Sequence, residues 1–112
     1  MNGIVYLASP YSHADTGVRE GRFREACRSA AKLMNEGYTV FSPIAHSHPI
    51  AVDLDPKLTC DHEFWMRQDL PILAACKRMF VLCLPGWEHS RGVVAEMQFA
   101  SAKGIPIEYI YP

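Results

Sequence analysis

Short apolar runs alternate with longer amphipathic stretches along the chain. The runs at residues 3–8, 38–41, 79–84 and 105–110 are rich in β-branched, aromatic and other apolar side chains, and we predict that they form strands. Between them, apolar positions recur at three- and four-residue steps, which is typical of helices that bury one face. We therefore predict helices over about residues 16–36, 61–77 and 90–103.

Residues with known capping preferences stand at the ends of these helices. Asp15 or Thr16 suits the N-cap of the first helix, because a short oxygen-bearing side chain can accept a free backbone N–H of the first turn. Gly37 and Gly104 follow the first and third helices, where glycine adopts the left-handed conformation that ends a helix. These signals place the boundaries of two helices.

Two segments give less regular signals. Pro71 is expected to end or kink the second helix, unless Asp69 caps a new helix that begins there. Residues 44–58 show neither helical nor strand periodicity, so we predict a loop with at most one helical turn.

The alternation of strands and helices predicts an α/β fold. We expect one domain, residues 1–112, with a parallel sheet of about four to five strands and right-handed crossovers. If the first and third strands are neighbours, the loops that follow them, residues 9–13 and 85–91, meet at the carboxyl edge of the sheet. Open α/β sheets bind their ligands at such a place.

Composition narrows the class of partner. The formal net charge is −1, which gives no case for a nucleic-acid polymer or an anionic membrane as partner, although a small anion needs only local donors. No apolar stretch approaches the roughly 20 residues that span a bilayer, and the first residues lack a basic leader, so we expect a cytoplasmic protein. The cysteines form no CxxC pair, and Cys27, Cys76 and Cys83 are predicted to be buried free thiols.

Two acidic residues stand in unusually apolar surroundings. Glu96 lies in the second turn of the helix after the third strand, and Asp69 is flanked by aromatic and aliphatic residues. Two carboxyl groups in one cleft can divide into a charged nucleophile and a proton donor, as in attack on an anomeric carbon. The alternatives are a solvated acid on a helix surface for Glu96 and an N-cap before Pro71 for Asp69.

The Ser90-Arg91-Gly92 corner predicts a site for an anion. A hydroxyl, a guanidinium and the free N–H groups of a helix N-terminus can together hold a phosphate. The alternative is an N-cap serine followed by a solvent-facing arginine. The chain contains neither the GxxxxGK[ST] nor the GxGxxG phosphate-binding pattern.

Histidines near the middle of the chain raise the question of a metal. His46 and His48, with Cys60, His62 and Asp53 nearby, match no standard zinc spacing, so we predict no metal and no cofactor. A metal-dependent hydrolase that uses His46 and His48 remains the alternative.

Several of these segments together resemble the nucleoside 2-deoxyribosyltransferase superfamily, which includes the 2′-deoxynucleoside 5′-phosphate N-hydrolases. The resemblance is carried by Ile4-Val5-Tyr6-Leu7-Ala8 with Pro10, by Gln68-Asp69-Leu70 and by Ser90-Arg91-Gly92-Val93-Val94-Ala95-Glu96. Pro10-Tyr11-Ser12-His13 and Leu84-Pro85-Gly86-Trp87 look like a group of small bacterial and phage proteins within it.

The resemblance implies a flavodoxin-like (Rossmann-like) three-layer sandwich and cleavage or transfer of an N-glycosidic bond. In this sequence Glu96 falls at the family's nucleophile, Asp69 at the acid that assists the leaving base, and Tyr6 at the tyrosine that positions the nucleophile. Ser90 falls where the monophosphate hydrolases bind phosphate, which implies a nucleotide substrate. The first loop lacks the glycine-rich, arginine-bearing turn of the hydrolases, for which His13 or Arg19 could substitute.

We therefore expect an enzyme that acts on a small nucleoside or nucleotide; the alternative is a non-catalytic nucleotide-binding or assembly module. The resemblance also implies a homodimer or homotetramer, since the family builds its sites at subunit contacts, and Trp87 is either a lid over the cleft or part of such a contact. The predicted substrate-binding residues are Ser9, Pro10, Tyr11, His13, His46, Gly86, Trp87, Ser90, Arg91 and Gly92.

Overall fold

The computed structural model describes residues 3–51 and 53–112. Within these residues, four strands and four helices follow one another, with a short 3₁₀ turn at Trp87–His89. In chain order they are β1 (Ile4–Ala8), α1 (Thr16–Asn35), β2 (Thr39–Phe41), α2 (Pro43–Ala51), α3 (His62–Ala74), β3 (Arg78–Leu82), α4 (Arg91–Ala102) and β4 (Ile107–Ile110).

The strands form one parallel sheet in the order β2-β1-β3-β4. Side chains of β1 alternate between its two faces, and both faces are covered. Val5 and Leu7 pack toward Leu33 of α1, whereas Tyr6 and Ala8 pack in the cluster that contains residues of α3 and α4. This arrangement confirms the predicted α/β, flavodoxin-like three-layer sandwich with four parallel strands.

The predicted caps of the first and third helices are confirmed. Asp15 is the N-cap of α1, and its carboxylate accepts the backbone N–H of Gly17 at 2.7 Å. Gly37 and Gly104 both have positive φ, at 102° and 72°. The predicted burial of Cys76 and Cys83 is confirmed, whereas Cys27 is only half-buried.

The loop predicted over residues 44–58 is wrong in its first half, because helix α2 occupies Pro43–Ala51. Ser42 Oγ accepts the backbone N–H of Ala45 at 3.2 Å, and Pro43 takes the first helical position, where its missing N–H is not needed. The Ser-Pro pair that stops β2 therefore also begins a helix.

The prediction that Pro71 ends the second helix, or opens a new one, is also wrong. Helix α3 continues through Pro71 to Ala74, ending before the predicted residue 77, and Asp69 lies inside it rather than at its N-cap. Asp61 is the actual N-cap, accepting the backbone N–H of Phe64 at 3.1 Å. Because Leu73 is fully buried in the core, packing of the last turn offsets the hydrogen bond that Pro71 cannot make.

No helix within the described part of the chain is both long and apolar enough to span a bilayer.

Candidate active site

The loops after β1 and β3 meet at the carboxyl edge of the sheet, as expected if these two strands are neighbours. Ala8 and Val81 are paired in register near the ends of the two strands. The guanidinium of Arg22, on α1, donates to the carbonyl of Ser12 at 3.0 Å and to the carbonyl of Pro85 at 3.3 Å. One side chain of α1 therefore ties the two loops together.

Gly86 is the residue that lets the second loop approach Arg22. Its φ is +90°, in the left-handed region that side-chain-bearing residues rarely adopt. A Cβ atom at this position would lie 3.1 Å from the Arg22 Nη2 atom. Both the backbone conformation and the close contact favour glycine here.

Helix α4 places Glu96 against the sheet. Ser90 is its N-cap, and the Ser90 Oγ atom accepts the backbone N–H of Val93 at 3.3 Å. The buried face of the helix carries Val93, Glu96 and Ala100 at three- and four-residue steps, so Glu96 occupies a core position and is only 4% exposed. The alternative of a solvated helix acid is therefore excluded by its location.

Glu96 has a hydrogen-bond partner inside the sheet. The hydroxyl of Tyr6, on β1, donates to Glu96 Oε2, and the Tyr6 side chain has no exposed surface. Burial raises the pKa of Tyr6 well above its usual value, which keeps the phenol protonated and able to donate. The structure thus brings together two of the three predicted catalytic residues in direct contact.

Asp69 is the second buried carboxyl group of the cleft, contributed by α3. Burial raises its pKa to about 6. Burial also raises the pKa of Glu96, to about 8; the Tyr6 hydrogen bond lowers it and the charge of Asp69 raises it further. When the pair holds one proton, that proton therefore resides mainly on Glu96 in the free protein. This order is the reverse of the roles that the family resemblance implies for the two residues.

Both carboxyl groups face a cleft of about 490 Å³, a volume typical of small-molecule sites. Polar, aromatic and aliphatic side chains of α1, α2, α3 and the adjoining loops form much of its wall. The predicted site residues that line it, besides Glu96 and Asp69, are Ser9, Tyr11, His13, Gly86, Ser90, Arg91 and Gly92.

Three predicted substrate-binding residues lie elsewhere. Pro10 is fully buried, and Trp87 packs on the core and on Tyr109, with ring centroids 5.5 Å apart. His46 lines a smaller adjoining cavity of about 180 Å³ that shares Asp69 with the main cleft. Trp87 is thus placed beside the sheet edge rather than over the cleft.

The wall of the cleft includes a hydroxyl without a partner. Ser9 is 4% exposed, and its Oγ atom forms no hydrogen bond to any residue that the structure describes. Leaving a buried hydroxyl unsatisfied costs about 1–3 kcal/mol, so such groups are uncommon in folded proteins.

Several residues of the cleft are absent from the predicted substrate-binding set, although His48 was considered as a metal ligand. Arg22 and His48 belong to helices α1 and α2, and both line the cleft. Tyr11 donates to or accepts from His48 Nδ1 at 2.6 Å, and Glu20 Oε2 lies 2.8 Å from His48 Nε2. The Ser42-Pro43 pair could have identified α2 as a helix, but only tertiary packing brings α1 and α2 to the cleft.

The candidate metal ligands do not converge. His46 lies in the adjoining cavity, whereas both ring nitrogens of His48 are hydrogen-bonded. Over residues 3–51 and 53–112, no group of three or more His, Cys, Asp or Glu side chains is arranged to hold a metal ion.

Comparison with known proteins gives a family and a fold. The model of the family described as "Domain of unknown function (DUF1937)" matches residues 3–111. A search of curated proteins finds no match. A solved 2-deoxyribosyltransferase from the psychrotolerant bacterium Bacillus psychrosaccharolyticus has a similar structure, with a TM-score of 0.69 and 21% sequence identity. The similarity covers 97% of this chain and 72% of that one.

Proposed function

The chain belongs to the DUF1937 family, and we propose that it cleaves or transfers the N-glycosidic bond of a nucleoside 5′-monophosphate. One observation carries the proposal: two buried carboxyl groups, Glu96 and Asp69, face the same cleft, and one of them accepts a hydrogen bond from a buried tyrosine. The fold shared with a 2-deoxyribosyltransferase supports the same class of reaction.

In this mechanism Glu96 acts as the nucleophile. A carboxylate oxygen forms a bond to C1′ of the sugar while the C1′–N bond breaks, and its electron pair leaves with the base. Asp69 transfers its proton to the base nitrogen. Water then attacks C1′ of the glycosyl ester to give hydrolysis, or a second base attacks to give transfer, and ionised Asp69 takes the proton that the attacking group loses. The bond between C1′ and the Glu96 oxygen breaks, so Glu96 is released as a carboxylate and Asp69 is again protonated. Tyr6 holds the reacting carboxylate in place.

The reaction uses the minor arrangement of the shared proton, with Glu96 ionised and Asp69 protonated. Because burial raises the pKa of Glu96 further than that of Asp69, this arrangement is the minor one in the free protein. Positive charge that develops at C1′ in the transition state stabilises ionised Glu96 and favours this arrangement. The unfavourable order also fits the second candidate function, a binding module without catalysis, and an assay for free base decides between them.

We expect a bell-shaped pH profile of kcat/KM, with limbs near pH 6 and pH 8. Below about pH 6 both carboxyl groups are protonated and no nucleophile exists; above about pH 8 both are ionised and no proton donor exists. Base release followed by chromatography across this range measures the profile. A rate that rises steadily to pH 9 would rule out a carboxylic acid as the proton donor.

The 5′-phosphate is assigned to the corner at the start of α4. Arg91 and the free N–H groups of the helix supply positive charge, and the unpartnered Ser9 hydroxyl lies in the same cleft. We expect a nucleoside 5′-monophosphate to bind roughly 10–100-fold more tightly than its nucleoside, as charge-assisted hydrogen bonds contribute about 1.5–3 kcal/mol.

The combined Ser90→Gly and Arg91→Ala variant should remove most of this preference, as measured by calorimetric titration. Glycine is chosen because it keeps most of the N-cap stability that alanine would lose. Lys103→Ala, at the other end of the same helix, is the matched control. Equal affinity of the unmutated protein for nucleoside and nucleotide would refute the phosphate assignment.

A further inference from the structure

A network of three hydrogen-bonded side chains lies at the wall of the cleft and has no role in the mechanism above. Glu20 of α1 contacts His48 of α2 at 2.8 Å, and His48 contacts the hydroxyl of Tyr11 at 2.6 Å. Tyr11 and His48 line the cleft, whereas Glu20 lies behind them. This network therefore connects the outer surface of α1 to a hydroxyl beside the ligand site.

The imidazole of His48 is held in a fixed orientation. Its ring stacks on Phe23, with centroids 4.2 Å apart and planes at 24°, and meets the Tyr11 ring edge-on at 5.5 Å. The second oxygen of Glu20 forms an ion pair with Arg24 at 3.4 Å, which steadies the carboxylate. Contacts on the ring faces and at both nitrogens leave His48 little freedom to rotate.

For a neutral imidazole, this arrangement determines which group donates each hydrogen bond. An ionised carboxylate only accepts, so Nε2 of His48 must carry the proton that points to Glu20. A neutral imidazole has one N–H, and Nδ1 is then an acceptor. The Tyr11 hydroxyl consequently donates its proton to Nδ1. Its oxygen has only lone pairs left for a ligand.

We propose that Tyr11 contacts the ligand as a hydrogen-bond acceptor for a sugar hydroxyl, and that His48 and Glu20 are positioning residues that fix this polarity. A phosphate oxygen without a proton cannot satisfy an acceptor, whereas a sugar hydroxyl donates and is common to nucleotides of every base. The identity of the ligand rests on the proposed function; the polarity of Tyr11 rests on the three side chains alone.

The first test compares sugars. Ribonucleoside, 2′-deoxy, 3′-deoxy and 2′,3′-dideoxy forms of adenosine 5′-monophosphate are titrated calorimetrically into the Glu96→Gln protein, which does not consume them. We expect removal of one particular hydroxyl to weaken binding about 3–10-fold, as for a neutral hydrogen bond. The double variant Glu96→Gln, Tyr11→Phe should bind the nucleotide with that hydroxyl and the nucleotide without it equally well. If Tyr11→Phe leaves all four affinity ratios unchanged, the inference is wrong.

The second test asks whether His48 acts through Tyr11. His48→Phe keeps a ring against Phe23 and removes both hydrogen bonds. If His48 only orients Tyr11, the double variant His48→Phe, Tyr11→Phe loses no more discrimination between the sugars than either single variant. If the two residues act independently, the losses of the single variants multiply in the double variant. Glu20→Gln should reduce the discrimination partly, with Glu25→Gln, another glutamate of α1 that pairs with Arg28, as its matched control. Multiplicative losses would overturn the positioning role.

A ligand-free measurement tests the polarity directly. Long-range ¹H–¹⁵N correlation spectra of the unmutated protein at pH 7.5, assigned by comparison with His48→Phe, should show His48 protonated at Nε2 and not at Nδ1. Protonation at Nδ1, or at both nitrogens, would overturn the inference. Nucleotide binding without base release would refute the proposed function and leave this inference standing. Base release without coupling between Tyr11 and a sugar hydroxyl would refute this inference and leave the proposed function standing. Failure of all four nucleotides to bind would refute both proposals.

Discussion

Replacement of Glu96 by glutamine is expected to lower base release by several orders of magnitude while the fold is retained. Glutamine has the size of glutamate and can still accept the Tyr6 hydrogen bond, but its amide is too weak a nucleophile to form the glycosyl ester. Burst and steady-state release of free base from a nucleoside 5′-monophosphate measures the loss, and circular dichroism checks the fold.

The matched control for this variant is Glu108→Gln. Glu108 lies on β4 and is exposed, so the same chemical change outside the cleft should leave turnover unchanged. If Glu96→Gln releases base as fast as the unmutated protein, Glu96 is not the nucleophile. An unmutated protein that binds nucleotides but never releases base would instead support the binding module.

The second large effect is on stability, and the same variant is expected to unfold at a higher temperature. Glu96 has a pKa of about 8 when folded, against an ordinary value of 4.5. Between these two values the unfolded chain releases a proton that the folded protein retains, so the free energy of unfolding falls as pH rises. Glutamine does not titrate and is free of this loss.

The gain in stability of Glu96→Gln over the unmutated protein should therefore be small near pH 4.5 and largest near pH 8. At roughly 1.4 kcal/mol per pKa unit, the gain in the free energy of unfolding amounts to several kcal/mol at the higher pH, which corresponds to a rise in melting temperature of about 10 °C or more. Differential scanning calorimetry at both pH values, with Glu108→Gln beside it, measures the difference. A gain that is the same at pH 4.5 and pH 8 would show that burial of the ionised carboxylate is not its cause.

These two expectations describe one property of Glu96. The core position that makes its charge costly is also the position that aims it into the cleft beside Asp69. A protein selected for stability alone would carry an apolar side chain there, as at Val93 and Ala100 on the same helix face. The destabilising carboxylate is therefore expected of a functional site.

Local patterns in the sequence determined most of the architecture. Apolar runs and helical periods depend on neighbouring residues, so they located all four strands and three of the four helices, and Asp15 and Gly37 marked the ends of α1. The alternation of these elements predicted a parallel sheet. The pairing of β1 with β3, which brings their loops to one edge, was a condition of the predicted site, and the structure meets it. Glu96 and Asp69 were candidates because charged side chains are unusual among apolar neighbours, but their separate roles were implied only by the family resemblance.

Tertiary structure alone decided what those residues experience. Packing of Leu73 in the core allows α3 to continue through Pro71. The position of α2 places His48 between Tyr11 and Glu20, although these three residues lie far apart in the sequence. Burial raised the pKa of Glu96 above that of Asp69, which no spacing of residues reveals, because desolvation depends on every atom around a group. The sequence by itself determined which side chains could act; the fold determined their protons, partners and exposure.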